Sequence, residues 1–193
     1  MIFPSSRRPS RRPPLRRRFA SLTLAALILG VARLVAQPAG KPTEYQVKAA
    51  YLYNFGRFVE WPAHADGDGF GICVIGRDPF GQTLDSAVAG QSINGRGVVT
   101  RRLPGIAEAA GCRILFISAS EDAQVNRILS TLQNTSVLTV SDMPRFTERG
   151  GMVQFIQDGN RVRFEINRAV AERAGLTLSS ELLRVASAVR GGA

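Results

Sequence analysis

CRILFISASEDAQVNRILSTLQNTSVLTV, residues 112–140, is the stretch that decides the fold. Cys112–Ser118 is a continuous apolar run, as expected of a strand buried on both faces. Ser118-Ala119-Ser120-Glu121 supplies helix-capping residues, and Val125, Ile128, Leu129 and Leu132 then fall on one side of a helix. Val137–Val140 returns as a second short apolar run. Strand, helix and strand in this order make a parallel pair joined by a crossover.

The same alternation extends in both directions. Upstream, Phe70–Gly76 reads as a strand, and Asp78-Pro79 as the N-cap and first position of a helix through about Val88. A polar strand, Gly97–Leu103, precedes the quoted unit. Downstream, Met152–Ile156 and Arg161–Ile166 flank Asp158-Gly159, a hairpin signal. Val162, Phe164 and Ile166 alternate with Arg161, Arg163 and Glu165, so one face of that last strand meets water. Helices over about Ala169–Ala174 and Ser180–Val189 close the chain. The first helix opens with the capping box Thr43-Glu44-Tyr45-Gln46 and runs to about Glu60, ahead of Pro62. The expectation is an α/β layered sandwich: a mostly parallel central sheet, an antiparallel hairpin at one edge, and helices on both faces.

Charge separates the chain into two parts. Its 193 residues carry 25 Lys+Arg against 15 Asp+Glu, a formal net charge of +10 that would suit a polyanionic partner. Eight of the cations lie in residues 1–36, which hold no acid, so the remaining 157 residues are nearly neutral. The electrostatic case for nucleic acid therefore lapses. An Arg-rich stretch ending at Arg18, the apolar run Phe19–Ala32 and small residues at Ala32 and Ala36 follow the order of a secretory signal. That apolar run is shorter than the roughly 20 residues a membrane-spanning helix needs. Arg16-Arg17-Arg18-Phe19 also fits the twin-arginine pattern, although general secretion is the favoured route. The expected organisation is a cleavable leader at 1–36, a short linker at 37–42 and one domain over 43–190. The expectation is an exported protein.

Candidate chemistry is sparse. Cys73 and Cys112 are the only cysteines, an even number in a compartment that permits disulfides. They either bridge two neighbouring strands or remain buried thiols, and they lack the partners of a zinc site. Gly76-Arg77-Asp78-Pro79-Phe80-Gly81-Gln82-Thr83 has P-loop glycine spacing, but Gln82 stands where the phosphate-binding lysine belongs and Pro79 removes a backbone donor. His64, the single histidine, lies near Asp66 without a nucleophile. Asp66, Asp68 and Asp85 do not have calcium-loop spacing, and Ser179-Ser180 reads as a helix cap. No catalytic residue, metal site or cofactor is expected. A small ligand, if one binds, belongs at the carboxyl ends of the parallel strands, beside Arg77, Asp78, Ser118 and Ser120. The first helix is unusually aromatic, with Tyr51, Leu52, Tyr53, Phe55, Phe58, Val59 and Trp61. So wide an apolar surface serves the core, an interface, or both, and Gly56 within it admits close approach of another backbone. Tyr51, Tyr53, Phe55 and Trp61 are the candidate anchors for a partner or a second copy.

Ordered blocks along the chain resemble the YfiR-like periplasmic proteins. They comprise Tyr45–Phe55 (YQVKAAYLYNF), Phe58–Pro62 (FVEWP), Cys73–Gly76 (CVIG), Asp78–Phe80 (DPF) and Cys112–Ser118 (CRILFIS). Val137–Ser141 (VLTVS), Gly150–Met152 (GGM), Arg163–Asn167 (RFEIN) and Gly175–Ser180 (GLTLSS) continue the series. The resemblance implies a non-enzymatic periplasmic regulator. Its best-known member holds a membrane-bound diguanylate cyclase inactive by binding the periplasmic sensor domain, which keeps cyclic di-GMP low. It further implies an α/β sandwich that forms homodimers and a disulfide between Cys73 and Cys112. Some members carry a second cysteine pair around a Phe-x-x-x-Gly-Gly block. This chain has Phe146-Thr147-Glu148-Arg149-Gly150-Gly151 and no further cysteine, so redox sensing by that pair does not carry over.

Overall fold

All six residues of β2 (Phe70–Ile75) are buried, the pattern of a strand covered on both faces. In the computed structural model, which describes residues 41–62 and 69–191, β2 pairs in parallel with β4 (Arg96–Leu103) and with β5 (Ile114–Ile117). The parallel run continues through β6 (Leu138–Ser141) to β7 (Val153–Asp158). The expected leader at 1–36 and the loop with His64, Asp66 and Asp68 lie outside the described residues. β7 turns at Gly159 (φ 58°) into the antiparallel strand β8 (Arg161–Asn167), whose inward residues alternate with wet ones. β3 (Ser92–Ile93) adds a short antiparallel piece at the β4 end, and β10 (Ala188–Arg190) pairs in parallel outside β8. The eight-stranded order is β10-β8-β7-β6-β5-β2-β4-β3.

Two cores follow from the two-residue period of a strand. Ile72, Val74, Ile114, Phe116, Leu138 and Val140 face one side, beneath α1 (Glu44–Phe58) and α2 (Gln82–Val88). Cys73, Ile75, Leu115 and Ile117 face the other side, against α3 (Val125–Thr131). α4 (Arg168–Arg173) and α5 (Ser180–Val185) lie on the first side, contributing Ala171 and Leu182 to its core. This is the expected layered α/β sandwich with helices on both faces.

Several boundaries differ from the sequence reading, each because a tertiary contact outweighs local preference. Asp78 does not cap a helix: its Oδ1 accepts from the Phe80 N–H, and α2 begins only at Gln82. A 3-10 turn, Ala119–Gln124, precedes α3, with Ser118 as its cap. α1 stops at Phe58 because Val59-Glu60 extends as β1 and pairs antiparallel with β9 (Thr177–Leu178). The final helix ends at Val185, short of the expected Val189. The Ser187 N–H donates to Phe164 O at 2.8 Å, and β10 then satisfies the outer edge of β8. The hairpin thus lies at one end of the sheet with a three-residue strand beyond it.

Two local features anchor this frame. Cys73 and Cys112 are joined, with Cα atoms 5.9 Å apart across 39 residues of sequence. By loop-closure entropy, that bridge between β2 and the entry to β5 contributes roughly 4 kcal/mol. Gly56 does permit a close approach, but by side chains: an added Cβ would lie 2.4 Å from Ile93 Cδ1 and 2.9 Å from Phe70 Cζ.

Candidate functional site

The carboxyl ends of β2 and β5 meet each other directly. Gly76 turns the chain out of β2 at φ +86°, and a Cβ there would sit 2.5 Å from Ser120 Oγ. The Arg77 N–H donates to the same oxygen at 2.8 Å, and Ser118 Oγ accepts from the Ser120 N–H at 3.4 Å. Ser120 thus links the two loops, and Ser118 braces Ser120 within its own loop. Asp78 is also engaged: Oδ2 accepts from Arg102 Nε at 2.8 Å. Arg102 reaches Asp85 at 2.5 Å and the Gly81 carbonyl at 2.6 Å, fastening β4 to the start of α2. Hydrogen bonds from Arg102 and Thr100 hold the Asp85 carboxyl below its ordinary range. Of the four proposed ligand contacts, Arg77 and Ser120 are exposed, Asp78 is half-buried and Ser118 is buried.

A polar cluster that the sequence reading missed adjoins this edge. Lys48, on the buried side of α1, is 3% exposed. Its Nζ lies 2.6 Å from Asp142 Oδ2 and 2.5 Å from Glu44 Oε1. Asp142 directly follows β6 and also accepts from Tyr45 OH at 3.2 Å. Burial alone would lower the lysine pKa, but the hydrogen bonds to Asp142 and Glu44 outweigh it, and the net shift is upward. Tyr45 is likewise raised, by burial and by the Asp142 charge. The Tyr45 ring stands edge-on to Phe80 at 5.3 Å, and Phe80 edge-on to Phe116 at 4.8 Å. This chain of rings ties α1 to the centre of the sheet.

The aromatic residues of α1 separate by position. Phe55 is 1% exposed and stacks against Phe155 and Phe164, so it supplies core packing that no partner reaches. Tyr51 is half-buried over the same two rings, with its hydroxyl donating to Val162 O. Tyr53 is half-buried and donates to Gln91 Oε1 at 3.1 Å. Trp61 is half-buried, with its ring edge-on to Phe70. Phe58, named in the apolar series but not as an anchor, is the most accessible of the set at 37%. It lies seven residues beyond Tyr51, on the same side of the helix. Among the described residues, the other large exposed apolar side chains are Val99, Val185 and Val189, so Phe58 is the single aromatic one. No group of three or more metal-ligating side chains occurs among the described residues.

Comparison with known proteins places this geometry. A family model described as YfiR/HmsC-like matches residues 45–187. No curated protein matches the chain. A crystal structure of a conserved domain protein from Vibrio cholerae O1 biovar El Tor str. N16961 is similar in fold, with a TM-score of 0.55 and 11% identity over 77% of this chain. The match spans 60% of that protein's length. An ABC domain in complex with L-Trp from Streptococcus pneumonia gives a TM-score of 0.48 at 14% identity, covering 62% of this chain and 56% of that one.

Proposed function

Because the chain belongs to the YfiR/HmsC-like family, we propose that it is a periplasmic, non-enzymatic regulator. It binds the periplasmic part of a membrane signalling protein, a diguanylate cyclase or a similar sensor, and restrains its output. The family match over residues 45–187 carries this reading. The domain acts after export under the leader at 1–36. No helix among the described residues is long and apolar enough to cross a membrane.

The outer side of α1 is the contact surface. Phe58, at the carboxyl end of α1, offers exposed aromatic area of the kind that anchors interfaces, whereas the half-buried rings of Tyr51, Tyr53 and Trp61 pack against the core and offer only their edges. Restraint requires the partner's inactive form to bind this surface more tightly than its active form. A homodimer would present the surface in two copies to a dimeric receptor.

Affinity purification of the tagged protein with detergent-solubilised inner membranes tests the reading. The expected result is retention of a protein that joins a periplasmic domain to a cytoplasmic cyclase or similar output domain. Failure to retain any such protein would contradict it.

A further inference from the structure

β6 and β7 run side by side for only two register pairs, Val140↔Val153 and Ser141↔Gln154. Toward their amino ends they part, and the Thr139 hydroxyl bridges the separation by accepting from the Met152 N–H at 3.1 Å. The parting opens a groove of about 560 Å³ between α3 and α4, within the size range of small-molecule sites. It lies at the amino ends of the strands, opposite the edge where Ser118 and Ser120 close the loops together.

The groove combines a mixed apolar and polar lining with two arginines. Leu129, Leu132, Met152 and Val170 are its apolar lining, beside the polar side chains of Ser130, Gln133 and Asn134. Arg149 is fixed in place: Nε donates to Asn126 Oδ1 at 3.3 Å, one terminal nitrogen pairs with the Asp122 carboxylate, and the other donates to Asp122 O at 2.9 Å. Its charge is thereby balanced, while two of its five N–H donors remain available. Arg173 enters from α4 as an exposed side chain without an ion-pair partner among the described residues. Its neighbour Glu172 is committed to Arg168 at 2.6 Å. The groove therefore carries one unbalanced positive charge beside apolar surface.

We propose that this groove binds a small monocarboxylate with an apolar body, the acid group pairing with Arg173 and the body lying over Leu129 and Met152. One unbalanced cation matches the single charge of a monocarboxylate, so neither partner is left with excess charge in the groove. The site does not depend on the partner contact assigned to α1, because its residues belong to α3, α4 and the entry to β7.

Isothermal titration of the purified protein with 4-phenylbutyrate and octanoate, each against its uncharged primary amide, tests the site. Both acids should bind at least tenfold more tightly than their amides. Arg173→Gln should weaken the acids at least tenfold and abolish that preference, with Arg173→Lys intermediate. Arg173 is exposed and unpaired, so the melting temperature should not move. Amide shifts in NMR spectra should centre on Leu129, Gly150 and Val170. The proposal is overturned if neither acid binds, if acid and amide bind alike, if Arg173→Gln binds as wild type, or if the shifts map elsewhere.

Discussion

Lys48 holds a full charge at 3% exposure, and that is sustainable only because Asp142 and Glu44 lie within 2.6 Å of its Nζ. Removing the ammonium would leave Asp142, whose side chain is 17% exposed, facing a gap in the protein. Lys48→Met should therefore cost about 3 kcal/mol in urea denaturation, and Lys48→Met with Asp142→Leu should recover at least half of it. A raised lysine pKa contributes stability that is complete below the ordinary value of 10.5 and lost as pH climbs through the higher folded value. The difference between wild type and Lys48→Met should thus be the same at pH 7 and pH 9, and shrink only above pH 10.5. Gly151 is a second sensitive residue. A Cβ there would lie 2.2 Å from Cε1 of Phe146, a ring with 0% exposure and no room to retreat. Gly151→Ala should cost roughly 2 kcal/mol by overpacking, read as a lower melting temperature.

At the scale of elements, the parallel strands were legible because their chemistry is local. Cys112–Ser118 and Phe70–Gly76 read as strands from their apolar runs, and Asp158-Gly159 marked the hairpin. Elements defined by distant partners were not legible. β10 exists because β8 has an open edge, β1 because β9 lies beside it, and neither partner is near in sequence. The Lys48–Asp142 pair spans 94 residues, and nothing in YQVKAAYLYNF marks its lysine as the one that turns inward. The hydrogen bonds of the candidate ligand contacts were not legible for the same reason: Ser118 and Ser120 do flank the strand ends, and what they bond to depends on a loop 43 residues away. The Cys73–Cys112 bridge is an element-scale staple and gives its own test. Cys73→Ser with Cys112→Ser should lose about 4 kcal/mol, less any relief of strain. Wild type should fall to the same stability once fully reduced, and a difference that persists under reductant would mean the substitutions harm packing instead.

Across the whole molecule, the +10 charge divides into a strongly cationic segment at residues 1–36 and a nearly neutral remainder, which favours apolar contact over attraction to a polyanion for the proposed partner. The aromatic helix divides its labour accordingly. Phe55 is spent on the core, whereas Phe58 remains accessible. Phe58→Ser should change folding stability by less than about 1 kcal/mol while weakening partner binding at least tenfold, because an exposed ring contributes little to the core and much to a desolvated interface. Phe55→Ser should do the reverse, unfolding the protein before it informs on binding. The proposed restraint of a membrane signalling protein, in the form of a diguanylate cyclase, is tested most directly by cellular cyclic di-GMP. It should be quantified in cells lacking this protein and in the same cells supplied with wild type or with Phe58→Ser at equal periplasmic abundance. Loss of the protein should raise cyclic di-GMP, wild type should restore the low level, and Phe58→Ser should not. An unchanged level on loss of the protein would contradict the proposed restraint.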